Sequence, residues 1–336
     1  MTGALDHLSS APLEPTDSPQ TEPLADAGET KPRSQWQLFR RRFARHKAAM
    51  AGLFVLVLLA FVCYGAALVA PFERGDQNLG AAGLSPSGDH WFGTDRLGRD
   101  VLTEILYSGR VTLTIGIAVA IFSTAIGTLL GAWAGYRGGI VDQIVSRVTD
   151  LFLVVPAILI AATVMSNLEN NGKFLWWDVG DDLPLLPVKV DRAFALVVIL
   201  TFLGWMYIAR IIRGQVLSIK EKEFVEAARA AGASQRRIIL RHVLPNTIGV
   251  IVVNATLAIA VAVTAEATLT YLGFGLKPPD TSWGYMIYDA RGTVTTNKTH
   301  LLYAPAFMLF LLILSVNFVG DGLRDAFEPR AKQESG

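Results

Sequence analysis

Six predominantly apolar stretches set the rhythm of this chain, and the polar segments between them are short. A charge-free run from Ala48 to Ala70 is followed by apolar stretches near 111–136, 145–168, 193–217, 246–272 and 302–323. Each is long enough to cross the hydrocarbon core of a bilayer, about 30 Å, as a helix. An isolated apolar segment in lipid must satisfy its own backbone, so the pattern predicts an all-α membrane protein with six transmembrane helices. The third stretch is interrupted by Pro156, which a membrane helix can tolerate. In the second, Gly127, Gly131 and Gly135 recur every four residues, a small-residue face that predicts close packing against another helix.

The polar segments supply the organisation. Residues 1 to about 30 hold six acids and no Lys or Arg, with Pro, Ser and Thr between them. Such a composition cannot bury a core, so 1–34 reads as a disordered tail, either a docking tail or a solvated extension. It does not resemble a signal peptide, which would begin basic and turn apolar at once. Residues 35–110 comprise a basic segment (Arg40-Arg41-Arg42, Arg45, Lys47), the first span and an outer loop. Residues 111–330 form a five-helix core that contains a polar loop at 218–245, and 331–336 is a short tail. With both ends inside, the cytoplasmic segments carry 20 of the 30 Lys and Arg. The positive-inside rule therefore favours a multi-pass protein with cytoplasmic N- and C-termini and puts the 218–245 loop in the cytoplasm.

Composition narrows the chemistry. The chain is 51% apolar over 336 residues, and its net charge of +1 gives no reason to expect nucleic acid. The single cysteine, Cys63, lies in an apolar run, and the five histidines are scattered without HExxH or CxxC spacing. No catalytic constellation and no metal site is predicted. No GxxxxGK[ST] phosphate loop occurs, so if ATP drives this protein another chain binds it.

The 218–245 loop is the most distinctive stretch. From Glu221 to Ala231 the residues are good helix formers, and Lys222, Glu226 and Arg229 are spaced to pair along one face. Phe224, Ala227, Ala228 and Ala231 form a second face, apolar and mostly small. Gly232 is placed to end that helix in a left-handed conformation, and Ser234 to cap a second, Arg-rich helix running to Pro245. The result is a compact knob suited to a groove on another protein. Glu226-Ala227-Ala228, three residues, Gly232 and then Leu244-Pro245 resemble the EAA loop of ABC-importer permeases. His242, two before Leu244, stands where the general pattern has an apolar residue, as in the peptide-importer branch. The resemblance implies that this is the coupling helix that docks on ATPase subunits. It assigns that role to Glu223, Glu226, Ala227, Ala228, Gly232, Arg237, Leu244 and Pro245.

Three further segments resemble the C-type permease of dipeptide, oligopeptide and nickel importers. His90-Trp91-Phe92-Gly93-Thr94-Asp95-Arg96-Leu97-Gly98-Arg99-Asp100 is similar to its opening signature. Its charges either satisfy one another as a structural anchor, the plainer reading, or contact a substrate-binding protein. Tyr271-Leu272-Gly273-Phe274-Gly275, with Pro278-Pro279 and Ser282-Trp283-Gly284, resembles the Gly- and Pro-rich outer turn of the branch. The end of the last span, with Asn317, Gly320-Asp321, Arg324-Asp325 and Glu328-Pro329-Arg330, resembles its terminal motif. By this resemblance the fold is the type I ABC importer transmembrane fold with a cytoplasmic coupling helix, in a bacterial cell membrane. The partners implied are a homologous B-type permease, two ATPase domains carrying ATP and Mg2+, an extracytoplasmic binding protein, a peptide substrate and membrane lipid. The chain itself would be no enzyme and hold no cofactor.

Candidate pathway residues are fewer. Glu266 is embedded in the fifth span about 20 residues from Asn246, roughly 30 Å along a helix, near the outer interface. An intramembrane carboxylate is a functional candidate by default, but there it can also simply hydrogen-bond the Gly-rich turn. Asn254, Asn317, Thr264 and Ser315 face a pore or neighbouring helices. Arg147 and Asp150 are three apart and predicted to pair, as are Asp321 and Arg324. The acidic, Trp-containing loop at 168–192 is an aromatic belt with solvated charges or an acidic vestibule. Two other functions remain open from sequence: a nickel-type or other small-solute importer, and a secondary transporter or channel working alone. Against the latter, the spans lack obvious inverted halves.

Overall fold

The structure is a computed structural model and describes residues 35–174, 177–178, 180, 191–293 and 298–327. The N-terminal tail, the acids at 181–182 and the Glu328-Pro329-Arg330 motif lie outside the described residues. The helices are α1 (Gln35–Arg45), α2 (Lys47–Tyr64), α3 (Ala66–Val69), α4 (Val101–Arg137), α5 (Gly139–Val154), α6 (Ala157–Asn171), α7 (Arg192–Ile219), α8 (Glu223–Ala230), α9 (Gln235–Ile238), α10 (Leu244–Tyr271), α11 (Trp283–Ala290) and α12 (His300–Phe327).

Five helical units are long and apolar enough to span a bilayer: α2, α4, α7, the continuous helix from Gln235 to Tyr271, and α12. The sixth predicted span is broken. Helices α5 and α6 meet at 80° across Val155-Pro156. Pro156 has no amide hydrogen to donate, and its ring drives the preceding residue out of the helical region, so Val155 is extended at φ −83°, ψ 130°. Tolerating a proline and bending at one are different outcomes, and a bend this sharp splits the stretch into two separate helices. The all-helical expectation has one small exception, an antiparallel pairing of Lys173–Phe174 with Trp177–Asp178 in the loop after α6.

The glycine face of α4 finds its partner in α7. A Cβ on Gly127 would sit 2.6 Å from the carbonyl oxygen of Trp205, and one on Gly131 would sit 2.4 Å from that of Ala209. These are backbone atoms, which cannot swing aside as a side-chain tip would. The two helices therefore lie as close as their main chains allow, which is what dispersion-driven association in lipid rewards. Gly131→Leu should force α4 and α7 apart and cost several kcal/mol, about the scale of overpacking in a tight core or more. The check is thermal unfolding of the purified protein in detergent. An unchanged midpoint would show the α4–α7 contact to be dispensable.

Two apolar clusters organise the bundle. One joins α4, α6, α7 and α10 around Met165, Leu196 and Leu269. The other joins α2, α4, α10, α11 and α12 around Ile105, Leu312 and the wholly buried Trp283. Arg210 pairs with Asp150, and Arg213 with Asp142, tying α7 to α5. The expected Arg147–Asp150 pair is thus replaced by one across helices, because α7 presents its guanidinium groups to the acidic edge of α5.

Candidate functional site

The polar loop after α7 folds as a two-helix knob whose attachment is narrow. Helix α8 buries one side chain, Val225, in a cluster with Ile212, Val216, Ile238 and Val243. Ala228 is half-buried beside them, while Glu223, Phe224, Glu226, Ala227 and Ala231 are exposed. The predicted pairing of Lys222, Glu226 and Arg229 is absent: none of the three is in an ion pair among the described residues, because short pairs on a solvated helix gain little. The charges are left free for a partner. Phe224, 42% exposed next to the small side chain of Ala227, is an apolar protrusion.

The turn after α8 follows the expected chemistry. Gly232 has φ +78°, and the amide of Ala233 donates to the carbonyl of Ala228 at 3.1 Å while that of Gly232 donates to Arg229 at 3.0 Å. This is the Schellman arrangement, and glycine adopts its left-handed residue without strain. Ser234 then caps α9 by accepting from the amide of Arg237, whose side chain is exposed. The second helix does not stop at Pro245. It runs unbroken into the span through a wide π turn at Ile239–Val243, and Pro245 occupies the first turn of α10. Widening the helix there accommodates a residue that has no amide to donate and a ring that needs room. Leu244 is half-buried beneath the knob, and α10 therefore continues directly from the exposed helix.

At its other side α10 forms a wall of a cavity of about 870 Å³ bounded also by α4, α6, α7 and α12. Val261 and Tyr207 in its lining remain 69% and 61% exposed, so the cavity is open laterally. Asn254 and Asn317 both line it, with Thr264 and Thr268. Asn254 and Thr264 donate to carbonyls of their own helix at 2.8 Å, to Val250 and Ala260, which leaves acceptor oxygens rather than charges toward the space. Ser315 instead is buried on α12, where its backbone lies against Gly52 of α2.

Glu266, grouped with those residues from sequence, does not reach the cavity. It is 0% exposed, on another face of α10. Its Oε1 accepts from Ser282 Oγ at 2.6 Å and from Thr270 Oγ1 at 2.8 Å, and its Oε2 has no partner. Ser282 Oγ also accepts from the amide of Tyr285 and so caps α11. The next residue, Trp283, donates its indole N–H to the carbonyl of Ile105 at 2.9 Å and its amide to Thr112 Oγ1 at 3.1 Å. Glu266 is thus one end of a buried polar joint between α10, α11 and α4, in line with the sequence alternative that it hydrogen-bonds the turn after the fifth span; the partners Ser282 and Thr270 are what the structure adds.

A continuous helix thus links the exposed knob to the lateral cavity. Residues 127–333 match the profile of the binding-protein-dependent transport system inner membrane component. The chain belongs to this family. Residues 34–86 of the permease also match the N-terminal transmembrane domain of oligopeptide transport permease C. It is 37% identical over 293 residues to the dipeptide transport system permease protein DppC of Bacillus subtilis (strain 168), covering 87% of this chain and 85% of that one. It is 37% identical over 299 residues to the oligopeptide transport system permease protein OppC of Mycobacterium tuberculosis (strain ATCC 25618 / H37Rv), covering 89% and 96%. Among solved structures, the inward-facing MetNI methionine ABC transporter superposes with a TM-score of 0.51 at 22% identity, over 68% of this chain and 96% of that one. The permease therefore has the type I ABC importer transmembrane fold and is a multi-pass membrane protein of the C type.

The remaining motif residues of this permease lie in the segments that flank the spans. Asp95 accepts from the amides of Leu97 and Arg99 and pairs with the Arg99 guanidinium, Nε at 2.7 Å. Burial lowers the pKa of Arg99, but Asp95 and Glu104 outweigh it and the net direction is upward. The expected mutual satisfaction of four charges is only partly met. Asp100 caps α4 through the amide of Thr103 and holds His90 at 3.0 Å, while Arg96 reaches the carbonyl of Asp289. Gly98, at φ +74°, lies so near the backbone of Asn78 that a Cβ would sit 1.8 Å from its carbonyl oxygen. Trp91 is 72% exposed at the rim of an apolar groove, as an interfacial tryptophan should be. Gly93, Gly273 and Gly275 shape the turns before α4 and after α10. In the turn that follows, burial raises the pKa of Asp280, Asp191 adds to this, and Arg74 opposes it. At the end of α12, Asp325 lies 3.5 Å from His46, while Asp321 and Arg324 are exposed.

Proposed function

We propose that this chain is the C-type permease subunit of an ATP-driven peptide importer in a bacterial cell membrane, with both termini cytoplasmic. It forms the translocation pathway with a homologous B-type permease, which closes the lateral opening of the cavity. Two ATPase domains, which bind ATP and Mg2+, dock on α8 and α9, and a binding protein delivers peptide from outside. The chain makes and breaks no covalent bond. The observation that carries the reading is the exposed α8–α9 knob running without interruption into α10, the wall of the cavity. A rigid rotation of the knob in an ATPase groove must move that wall, a hinge or shear transition of ordinary kind.

The lining favours peptide over a bare metal cation. Among the described residues around the cavity there is no Asp, Glu, His or Cys, so this wall offers a divalent cation no ligand set. Amide and hydroxyl oxygens beside apolar surface suit a neutral backbone passing with its side chains undiscriminated. The test is ATP hydrolysis by the purified complex, with and without its binding protein and a panel of di- to pentapeptides. Stimulation by a peptide is the expected result. Stimulation by nickel alone would keep the fold and overturn the substrate, and a complex without copurifying ATPase would overturn the coupling.

A further inference from the structure

Helix α1 takes no part in the cavity or the knob, yet its surface is organised. Arg40, Arg41, Arg42 and Arg45, with Lys47 at the start of α2, are all exposed, and no acidic residue lies between Gln35 and Lys47. None of the five is in an ion pair among the described residues. The acids on the element packed against α1 do not pair with them: Asp325 lies 3.5 Å from His46, and Asp321 is exposed farther up α12.

The opposite face of α1 is aromatic. Trp36 stacks on Phe39 at 5.1 Å and Phe39 on Phe43 at 6.2 Å, and Phe39 also meets Phe327 of α12 at 4.5 Å. Spacings of three and four make these rings one ridge. The ridge pins α1 where α2 begins and α12 ends, the inner ends of two spans in the orientation given under Proposed function. Phe39 and Phe43 are half-buried against α12, but Trp36 is 61% exposed. An exposed indole and unpaired guanidinium groups on the two faces of one short helix, next to a span, make the combination of apolar anchor and cations that an interfacial helix uses.

We propose that α1 is a binding surface for anionic phospholipids of the inner leaflet, with Arg41, Arg42 and Arg45 on the headgroup phosphates and Trp36 at the acyl boundary. The leaflet rests on the orientation given under Proposed function. Guanidinium groups match phosphate oxygens in a two-pronged geometry, and clustered cations just inside a span draw anionic lipid from the surrounding leaflet. A soluble anion would engage the arginines but leave Trp36 without purpose. Because α1 is clasped to α12, which carries Asn317 into the cavity lining, a held α1 also steadies the inner end of the pathway.

The experiment measures labelled phosphatidylglycerol and phosphatidylcholine retained by the intact complex after extraction from mixed vesicles. Wild type should enrich phosphatidylglycerol about tenfold, with the enrichment falling as salt rises. The triple variant R41Q/R42Q/R45Q should lose most of it, and each single variant part of it, so the inference stays testable if the triple variant fails to assemble. Trp36→Ser should weaken retention while leaving its salt dependence. Equal retention of the two lipids by wild type, unchanged enrichment in the variants, or complete displacement by inorganic phosphate would each overturn the proposal. Retention is read without ATP. A complex that enriches phosphatidylglycerol yet shows no coupled hydrolysis would remove the transport reading and leave this surface standing.

Discussion

Replacing Gly232 by valine is expected to abolish most peptide uptake while leaving the complex assembled and able to hydrolyse ATP at its basal rate. The residue sits at φ +78°, where a β-branched side chain pays about 2 kcal/mol or more of backbone strain. That strain corresponds to roughly a 30-fold loss in the population of the native turn. Nothing lies within 4 Å of where its Cβ would be, so the substitution creates no clash and spares the packed bundle. What suffers is the direction of α8. An eight-residue helix does not hold itself together in water, and this one is anchored by Val225, half-buried Ala228 and the Schellman bonds around Gly232. If the turn opens, α8 no longer meets its groove at the angle that drives α10. Gly232→Asn is the control, because asparagine tolerates the left-handed region, and it should keep much of the uptake. Normal uptake by the valine variant would falsify the coupling role of this turn.

Glu266→Leu should have the second large effect, of a different kind. The carboxylate is wholly buried and collects hydroxyl donors from Ser282 and Thr270. Removing it strands both hydroxyls in an apolar setting, at about 1–3 kcal/mol each. Ser282 loses a fixed position as the cap of α11, and Thr270, which accepts from the amide of Leu276 at 3.2 Å, loses its hold on the outer turn. The expected outcome is faster amide exchange across 283–290 and a lower unfolding temperature, with the cavity lining of α10 unaltered. Glu266→Gln keeps a carbonyl oxygen for the same donors and should restore most of the protection. If leucine were tolerated without change in exchange, the joint would carry no weight. If glutamine failed as badly as leucine, a charge rather than an acceptor would be what the site requires.

Much of the bundle was legible beforehand because the bilayer imposes rules that act on short windows of sequence. Apolar runs of sufficient length announced six spans, five of which are long apolar helices and the sixth a bent pair. The spacing of Gly127, Gly131 and Gly135 announced a close helix contact, and Gly232 with Ser234 announced the knob's turn and second cap. Each of these follows from length, periodicity or one residue's backbone preference, so no distant partner is needed to infer it. Pro156 marks the limit of that method. Its missing donor and bulky ring predict disruption, yet whether the helix tolerates it or turns by 80° depends on what the two halves pack against. At Pro245 the same residue type left the helix continuous, through a π turn.

Sequence by itself therefore determined the membrane-spanning class, the knob between the fourth and fifth apolar stretches and the residues that shape its turn, since these rest on local propensity and hydropathy. Tertiary structure alone decided that α7 is the partner of the α4 glycines, that Arg210 rather than Arg147 takes Asp150, and that Asn254 and Asn317 line a cavity while Glu266 does not. The physical reason is the helical repeat. Residues 12 apart on α10, such as Asn254 and Glu266, have much the same hydropathy context, and which face each occupies matters only once neighbouring helices are set around it.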